Sequence, residues 1–172
     1  MFHDEARFGR ITDPRRCWAP FPHRPLVHAA VVQEFTYAYA AVSPQDGTLD
    51  SLILPSVGTG MMNLFLEEVS LRHPDEFIIM LMDQAGWHTS KELHLPENMH
   101  ILYLPPYSPE LNPVEYLWDE VREKDFPNLV FATIEYLEVH LMHSLARLEG
   151  DPSRVQSLTG WDWIINAILN AD

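Results

Sequence analysis

The sequence predicts one mixed α/β domain, a β-sheet flanked by helices. Three observations carry that expectation. Two runs rich in β-branched and aromatic residues are joined by a turn signal, PQDG. Two short runs, EFIIMLMD and MHILYLPP, are nearly all apolar and read as buried strands. Around them stand segments with helical apolar spacing, two of which close at Pro74 and Gly150.

The elements follow in chain order. FHDEARFG supplies a first strand, and DPRRCWAPFPHRP is an irregular, proline-rich arm. EFTYAYAAVS and TLDSLILP then form a hairpin about PQDG. GTGMMNLFLEEVSLRHP reads as an amphipathic helix, with Met62, Leu64, Phe65 and Val69 on its apolar face. EFIIMLMD is a central strand buried on both faces, AGWHTSKEL a loop with a short helix, and MHILYLPP another buried strand. Four prolines crowd PPYSPELNP, a rigid extended connector, because proline fixes φ and lacks an N–H. Beyond it Val114, Leu117, Trp118 and Val121 repeat at helical spacing, so a helix runs to about Asp125. TIEYLEVHLMHSLARLEG is a long helix and WDWIINAILN a last one.

The chain has 172 residues, 47% of them hydrophobic, which suits one folded domain. Its single cysteine, Cys17, cannot form an internal disulfide, which points to a reducing, cytoplasmic setting. No histidine context marks Cys17 as a catalytic thiol. The longest apolar run, FIIMLM, is too short to span a membrane. A formal net charge of −14 argues against a general phosphate-gripping surface. The charge is uneven, however. Residues 1–24 hold five of the eleven Lys and Arg, among them Arg7, Arg10, Arg15 and Arg16, against three acids. Any DNA contact would have to be local, weak and salt-sensitive at those four arginines, or supplied by another domain.

Three carboxylates stand out. Asp83 ends the most apolar strand, where active-site acids of open α/β sheets lie; the alternative is a solvated or capping Asp at a strand exit. Asp4 lies on the first strand, and Glu5 should face the opposite way by strand alternation. Glu115 starts the helix after the proline connector. It has two readings. Asn112-x-x-Glu115 matches a capping box, in which Glu115 bonds the Asn112 N–H. Alternatively the prolines aim Glu115 into a site. Two strands and a helix contributing Asp, Asp and Glu can hold two divalent cations roughly 3.5–4 Å apart, the arrangement for in-line phosphoryl transfer.

HDEARFGR, MDQAGWH and LPPYSPELNPVEYLWDEVREK resemble the three acidic motifs of DDE transposases of bacterial insertion sequences, in the mariner-like branch. DPRRCWAP and SLTGWDWI also look like that family, so the resemblance covers nearly the whole chain. It implies an RNase H-like fold with Asp4, Asp83 and Glu115 as catalytic, metal-binding residues and two Mg²⁺ or Mn²⁺ ions. Water or a DNA 3′-hydroxyl would attack a phosphodiester, cutting transposon ends and joining them to a target, with a dimer in the active complex. His88, after the second acidic motif, and Asn112, in the third, would orient ligands or face substrate. The alternative for His88 is a polar residue at a helix start.

The same resemblance sets expectations about extent. Residues 1–172 would be the catalytic domain, without the family's helix-turn-helix region and with a shortened first strand. A separate helix-turn-helix subunit or an intact transposase would then be the protein partner. Two other readings remain: an inactive fragment that binds and inhibits an intact transposase, and a stand-alone nuclease such as a junction resolvase. The latter would not need the YSPELNPVE block.

Overall fold

A computed structural model describes residues 1–11, 14–16 and 18–169. Cys17, on which the thiol question falls, and Asp13 lie outside the described residues. The strands are β1 (Phe2–Ile11), β2 (Val31–Val42), β3 (Leu49–Leu54), β4 (Ile78–Met82) and β5 (Met99–Tyr103). The helices are α1 (Thr59–Arg72), α2 (Val114–Lys124), α3 (Ile134–Glu149), α4 (Pro152–Thr159) and α5 (Asp162–Leu169). They form the expected RNase H-like single domain, a mixed sheet flanked by helices.

The strand order is β3-β2-β1-β4-β5. β1, β2 and β3 are antiparallel, and β1–β4 and β4–β5 are parallel. β1 is therefore the central strand. It pairs with β2 from Phe2↔Val42 to Ile11↔Val31, and with β4 at Phe2↔Leu81. The hairpin turn needs its glycine. Gly47 has φ 77, and a Cβ there would meet the Pro152 carbonyl oxygen at 1.9 Å, where α4 docks on the turn.

Alternation along β1 builds two cores. Phe2, Ala6 and Phe8 pack with Trp118, Val121, Leu137, Leu141 and Leu148 from α2 and α3. The other face carries Tyr39, Met62, Phe65, Leu66, Val69 and Met80 under α1. Both layers bury side chains that contribute about 1.5–3 kcal/mol each on transfer from water.

Several local expectations change. In α1, Leu64 is half exposed and Leu66 is buried, because Met62, Leu66 and Val69 lie on the same side of the helix. β4 buries Ile78, Met80 and Met82 under α1 but leaves Ile79 47% exposed, so it is not buried on both faces. β5 is an edge strand, with His100, Leu102 and Tyr103 exposed. Apolar composition alone does not separate an edge strand from a central one. AGWHTSKEL folds as turns without a helix, and α4 was not anticipated. α4 is capped by Asp151, whose side chain accepts from Arg154 N, and Pro152 opens its first turn.

Candidate active site

β1 points Asp4 to the α2 side of the sheet. Two residues beyond the Phe2↔Leu81 pair, the parallel strands bring Asp4 alongside Asp83, just past the end of β4. Asp4, Asp83 and Glu115 line one cleft of about 470 Å³. Its wall is the connector itself, Leu104 to Pro109, together with Gln84, Ala85 and Asn112. Gln84 Nε2 donates to Leu104 O at 2.9 Å, tying the loop after β4 to the connector. Tyr107, fully exposed at this wall, takes a left-handed backbone (φ 57). Such strain in a bulky residue costs about 1–3 kcal/mol and gathers at functional sites.

The capping reading of Glu115 can be decided. Asn112 N donates to Pro109 O at 2.9 Å, closing a short 3₁₀ turn over Pro109–Leu111. Its N–H is therefore taken by a carbonyl rather than by Glu115. Asn112 serves the helix differently: its Oδ1 accepts from Val114 N at 3.2 Å. Its Nδ2 donates to His3 O at 2.9 Å, binding the start of α2 to β1 beside Asp4. Asn112 is buried, so this pair of bonds is a rivet between the two carboxylate-bearing elements.

Burial and neighbouring carboxylates dominate the electrostatics of Asp4 and Glu115. Burial, then the charges of Glu115 and Glu5, push Asp4 up to about 7, while Trp118 opposes the shift by hydrogen bonding. Trp118 Nε1 donates to Asp4 Oδ2 at 3.0 Å. Glu115 is raised by burial and by the charges of Asp119 and Asp83, against a lowering by Arg122. This donor set is all anionic oxygen, which suits a hard divalent cation such as Mg²⁺ or Mn²⁺.

Glu5 faces the α1 side, as alternation requires. There Glu5 Oε1 accepts from Trp87 Nε1 at 3.0 Å and lies 2.9 Å from His88 Nε2. The other ring nitrogen of His88, Nδ1, is 2.7 Å from Asp83 Oδ1. His88 thus spans the strand end, with Asp83 on one nitrogen and Glu5 on the other. It sits in a turn, where its backbone N donates to Ala85 O and its carbonyl accepts from Tyr103 Oη. Ala85 N also donates to Asp83 Oδ1, so Asp83 closes an Asx-type turn while facing the cleft.

The four N-terminal arginines differ. Arg10 is committed inside the fold: Nε donates to Phe131 O at 3.1 Å, Nη1 to Glu34, and Nη2 to Ala132 O. Arg15 pairs with Glu123. Arg7 lies over the Phe35 ring at 4.6 Å, and both Arg7 and Arg16 are exposed. Arg7, Arg15 and Arg122 line a second hollow beside Phe8 and Phe131.

Sequence reasoning missed Trp118, Trp87 and His3 as polar participants. Trp118 had a visible signal, since it stands three residues after Glu115 and shares its side of α2.

The sheet order and flanking helices define an RNase H-like domain, and one of its clefts gathers three carboxylates. Residues 1–138 match the family described as "DDE superfamily endonuclease", and the chain belongs to that family. It is 32% identical over 130 residues to "Uncharacterized protein y4pE/y4sA" of Sinorhizobium fredii (strain NBRC 101917 / NGR234), covering 75% of this chain and 96% of that one. The fold resembles that in "Crystal structure of the catalytic domain of Mos1 mariner transposase", with TM-score 0.57 and 14% identity over 92% of this chain and 79% of that one. It also resembles "Crystal structure of the Mos1 mariner paired end complex with Mn", with TM-score 0.63 and 14% identity over 91% of this chain and 52% of that chain. A third match is "Mos1 transposase paired-end complex with left transposon end", with TM-score 0.61 and 15% identity over 92% of this chain. The chain spans 55% of the length of that Mos1 protein. Among the described residues, no helix is long and apolar enough to cross a membrane.

Proposed function

We infer that residues 1–172 act as the catalytic domain of a transposase, cleaving DNA strands at insertion-sequence ends and transferring them to a target. The observation that carries this reading is the single cleft lined by Asp4, Asp83 and Glu115, which are far apart in sequence. The three carboxylates would hold two Mg²⁺ or Mn²⁺ ions. Bound there, the ions supply charge stabilisation to the attacking and leaving oxygens of an in-line displacement.

The chain's own residues do the positioning. Trp118 fixes one oxygen of Asp4, His88 and Ala85 N fix one oxygen of Asp83, and Asn112 anchors the helix that carries Glu115. Asp4 would hold a cation in its deprotonated form, since a cation's charge opposes the burial and the neighbouring carboxylates that raise its pKa. DNA would approach along the exposed Arg7 and Arg16, with Arg15 beside them. Arg10 contributes by holding the α2–α3 connection. A dimer, end and target DNA, a helix-turn-helix partner and a cytoplasmic location belong to the same reading. The complete carboxylate set favours it over an inactive, inhibitory fragment.

The test is nicking of plasmid DNA carrying insertion-sequence ends, with Mg²⁺ or Mn²⁺ and the purified chain. Nicking that disappears in Asp83→Asn and Asp4→Asn supports the reading. Equal nicking by the variants and the parent would overturn it.

A further inference from the structure

Behind the acidic cleft, on the α1 side of the sheet, a second group of ligating side chains comes together. His3, Glu5 and His88 each present one atom, and these atoms lie within 4.8 Å of one another. We propose that His3 Nε2, Glu5 and His88 Nε2 form a binding site for a borderline divalent transition metal, zinc by preference, separate from the Asp4–Asp83–Glu115 site.

The two ligand spacings to Glu5 suit tetrahedral zinc, and the third lies within 4.8 Å. His3 Nε2 is 3.4 Å and His88 Nε2 is 2.9 Å from Glu5 Oε1. Zinc bonds of about 2.0–2.1 Å in a tetrahedron put neighbouring ligands about 3.3 Å apart. Two imidazoles and one carboxylate favour zinc over magnesium, which takes oxygen ligands.

A second observation points to a ligand. His3 is fully buried, and its Nε2 is the one buried side-chain polar atom without a hydrogen-bond partner among the described residues. Its Nδ1 is 2.9 Å from Ala40 O, and because a carbonyl only accepts, Nδ1 carries the hydrogen and Nε2 of the neutral ring holds a lone pair. That lone pair faces the Glu5 carboxylate. In the neutral ring two acceptors then face each other across 3.4 Å in a buried space, an arrangement that a proton on Nε2 or a metal cation between them relieves.

The surroundings match those of metal-bound histidines, which donate their far nitrogen to a carbonyl or carboxylate. His3 has the Ala40 carbonyl, His88 has Asp83 Oδ1, and Trp87 Nε1 steadies Glu5. A metal here would clamp the loop after β4 onto β1. It would also keep the His88 Nδ1 proton directed at Asp83.

The full chain, stripped with a chelator and then titrated with zinc alone, provides the test. One equivalent should bind with the Asp4→Asn/Glu115→Gln variant unchanged. His3→Gln should weaken binding more than about 100-fold, beyond what loss of an outer partner costs. Should His3→Gln fail to fold, cobalt(II) added to the parent protein decides: strong visible bands of four-coordinate cobalt support the site. Weak six-coordinate bands, zinc binding lost in the cleft variant, or no stoichiometric zinc binding would leave His3, Glu5 and His88 as an ion-paired cluster and overturn the proposal. These measurements use no DNA, so they stand or fall apart from the cleavage reading.

Discussion

The indole Nε1 of Trp118 donates a 3.0 Å hydrogen bond to Oδ2 of Asp4, joining the helix that carries Glu115 to the strand that carries Asp4. Trp118 is buried and packs edge-on to Phe8. The bond fixes one carboxylate oxygen while the other stays available to the cleft. Trp118→Phe keeps the ring but removes the donor. Stability should fall by about 1–3 kcal/mol, the cost of a buried group losing its partner. Cleavage should fall about 10- to 100-fold, as for outer partners of metal ligands. Denaturant melts and nicking rates check both. Unchanged nicking would show that the bond does not position Asp4.

Glu115→Gln separates ligation from helix capping. Asn112 N–H already bonds to Pro109 O, so no cap is lost. Stability should stay within roughly 0.5 kcal/mol of the parent. Glu115→Ala should behave alike, without the 0.5–2 kcal/mol or so that a lost cap costs. Both should abolish Mg²⁺-dependent nicking. A Glu115→Gln protein that nicks DNA normally would remove Glu115 from the catalytic set.

Asn112→Ala should be costly although it removes no charge. The substitution strands His3 O and Val114 N, both bonded to the Asn112 side chain in a buried setting. The expected loss is about 1–3 kcal/mol or more by urea denaturation. A loss below about 0.5 kcal/mol would mean that the rivet between β1 and α2 is not needed.

Asp4 gives the metal-free protein a pH signature. Its folded pKa is raised to about 7 from a reference of 3.8. The folded state therefore binds more protons than the unfolded state between those values. Stability falls as pH rises from about 4 to about 7, and the loss is complete above that window. Asp4→Asn should flatten the slope and stabilise the metal-free protein at pH 8. Added Mg²⁺ should do the same to the parent. A parent and variant with parallel melting curves across pH 4–8 would contradict the assignment.

DNA contact should be carried by Arg7 and Arg16 more than by Arg10, whose donors are spent on Phe131 O, Ala132 O and Glu34. Arg7→Ala and Arg16→Ala should each reduce the salt-dependence slope of DNA binding by about 0.9. Arg10→Ala should instead lower stability with little change of slope. Filter binding across a salt series, with thermal melts, reads both.

The sequence alone determined the elements whose causes are local. Pro74 and Gly150 close α1 and α3, PQDG turns the β2–β3 hairpin, and period 2 along FHDEARFG sends Asp4 and Glu5 to opposite faces. The acidic motifs were legible for the same reason, since a proline connector leading to Glu115 is a local pattern. The tertiary structure decided what depends on partners distant in the chain. It made MHILYLPP an edge strand, because position in a sheet is set by which strands pair, not by composition. It settled the competition for the Asn112 N–H in favour of Pro109 O, a choice of register that capping propensity cannot rank. It also put Trp118 on Asp4 and His88 between Asp83 and Glu5, contacts across 114 and 83 residues of chain. Such polar contacts form only after the sheet and helices pack, because packing places each donor and removes the water that would otherwise satisfy it.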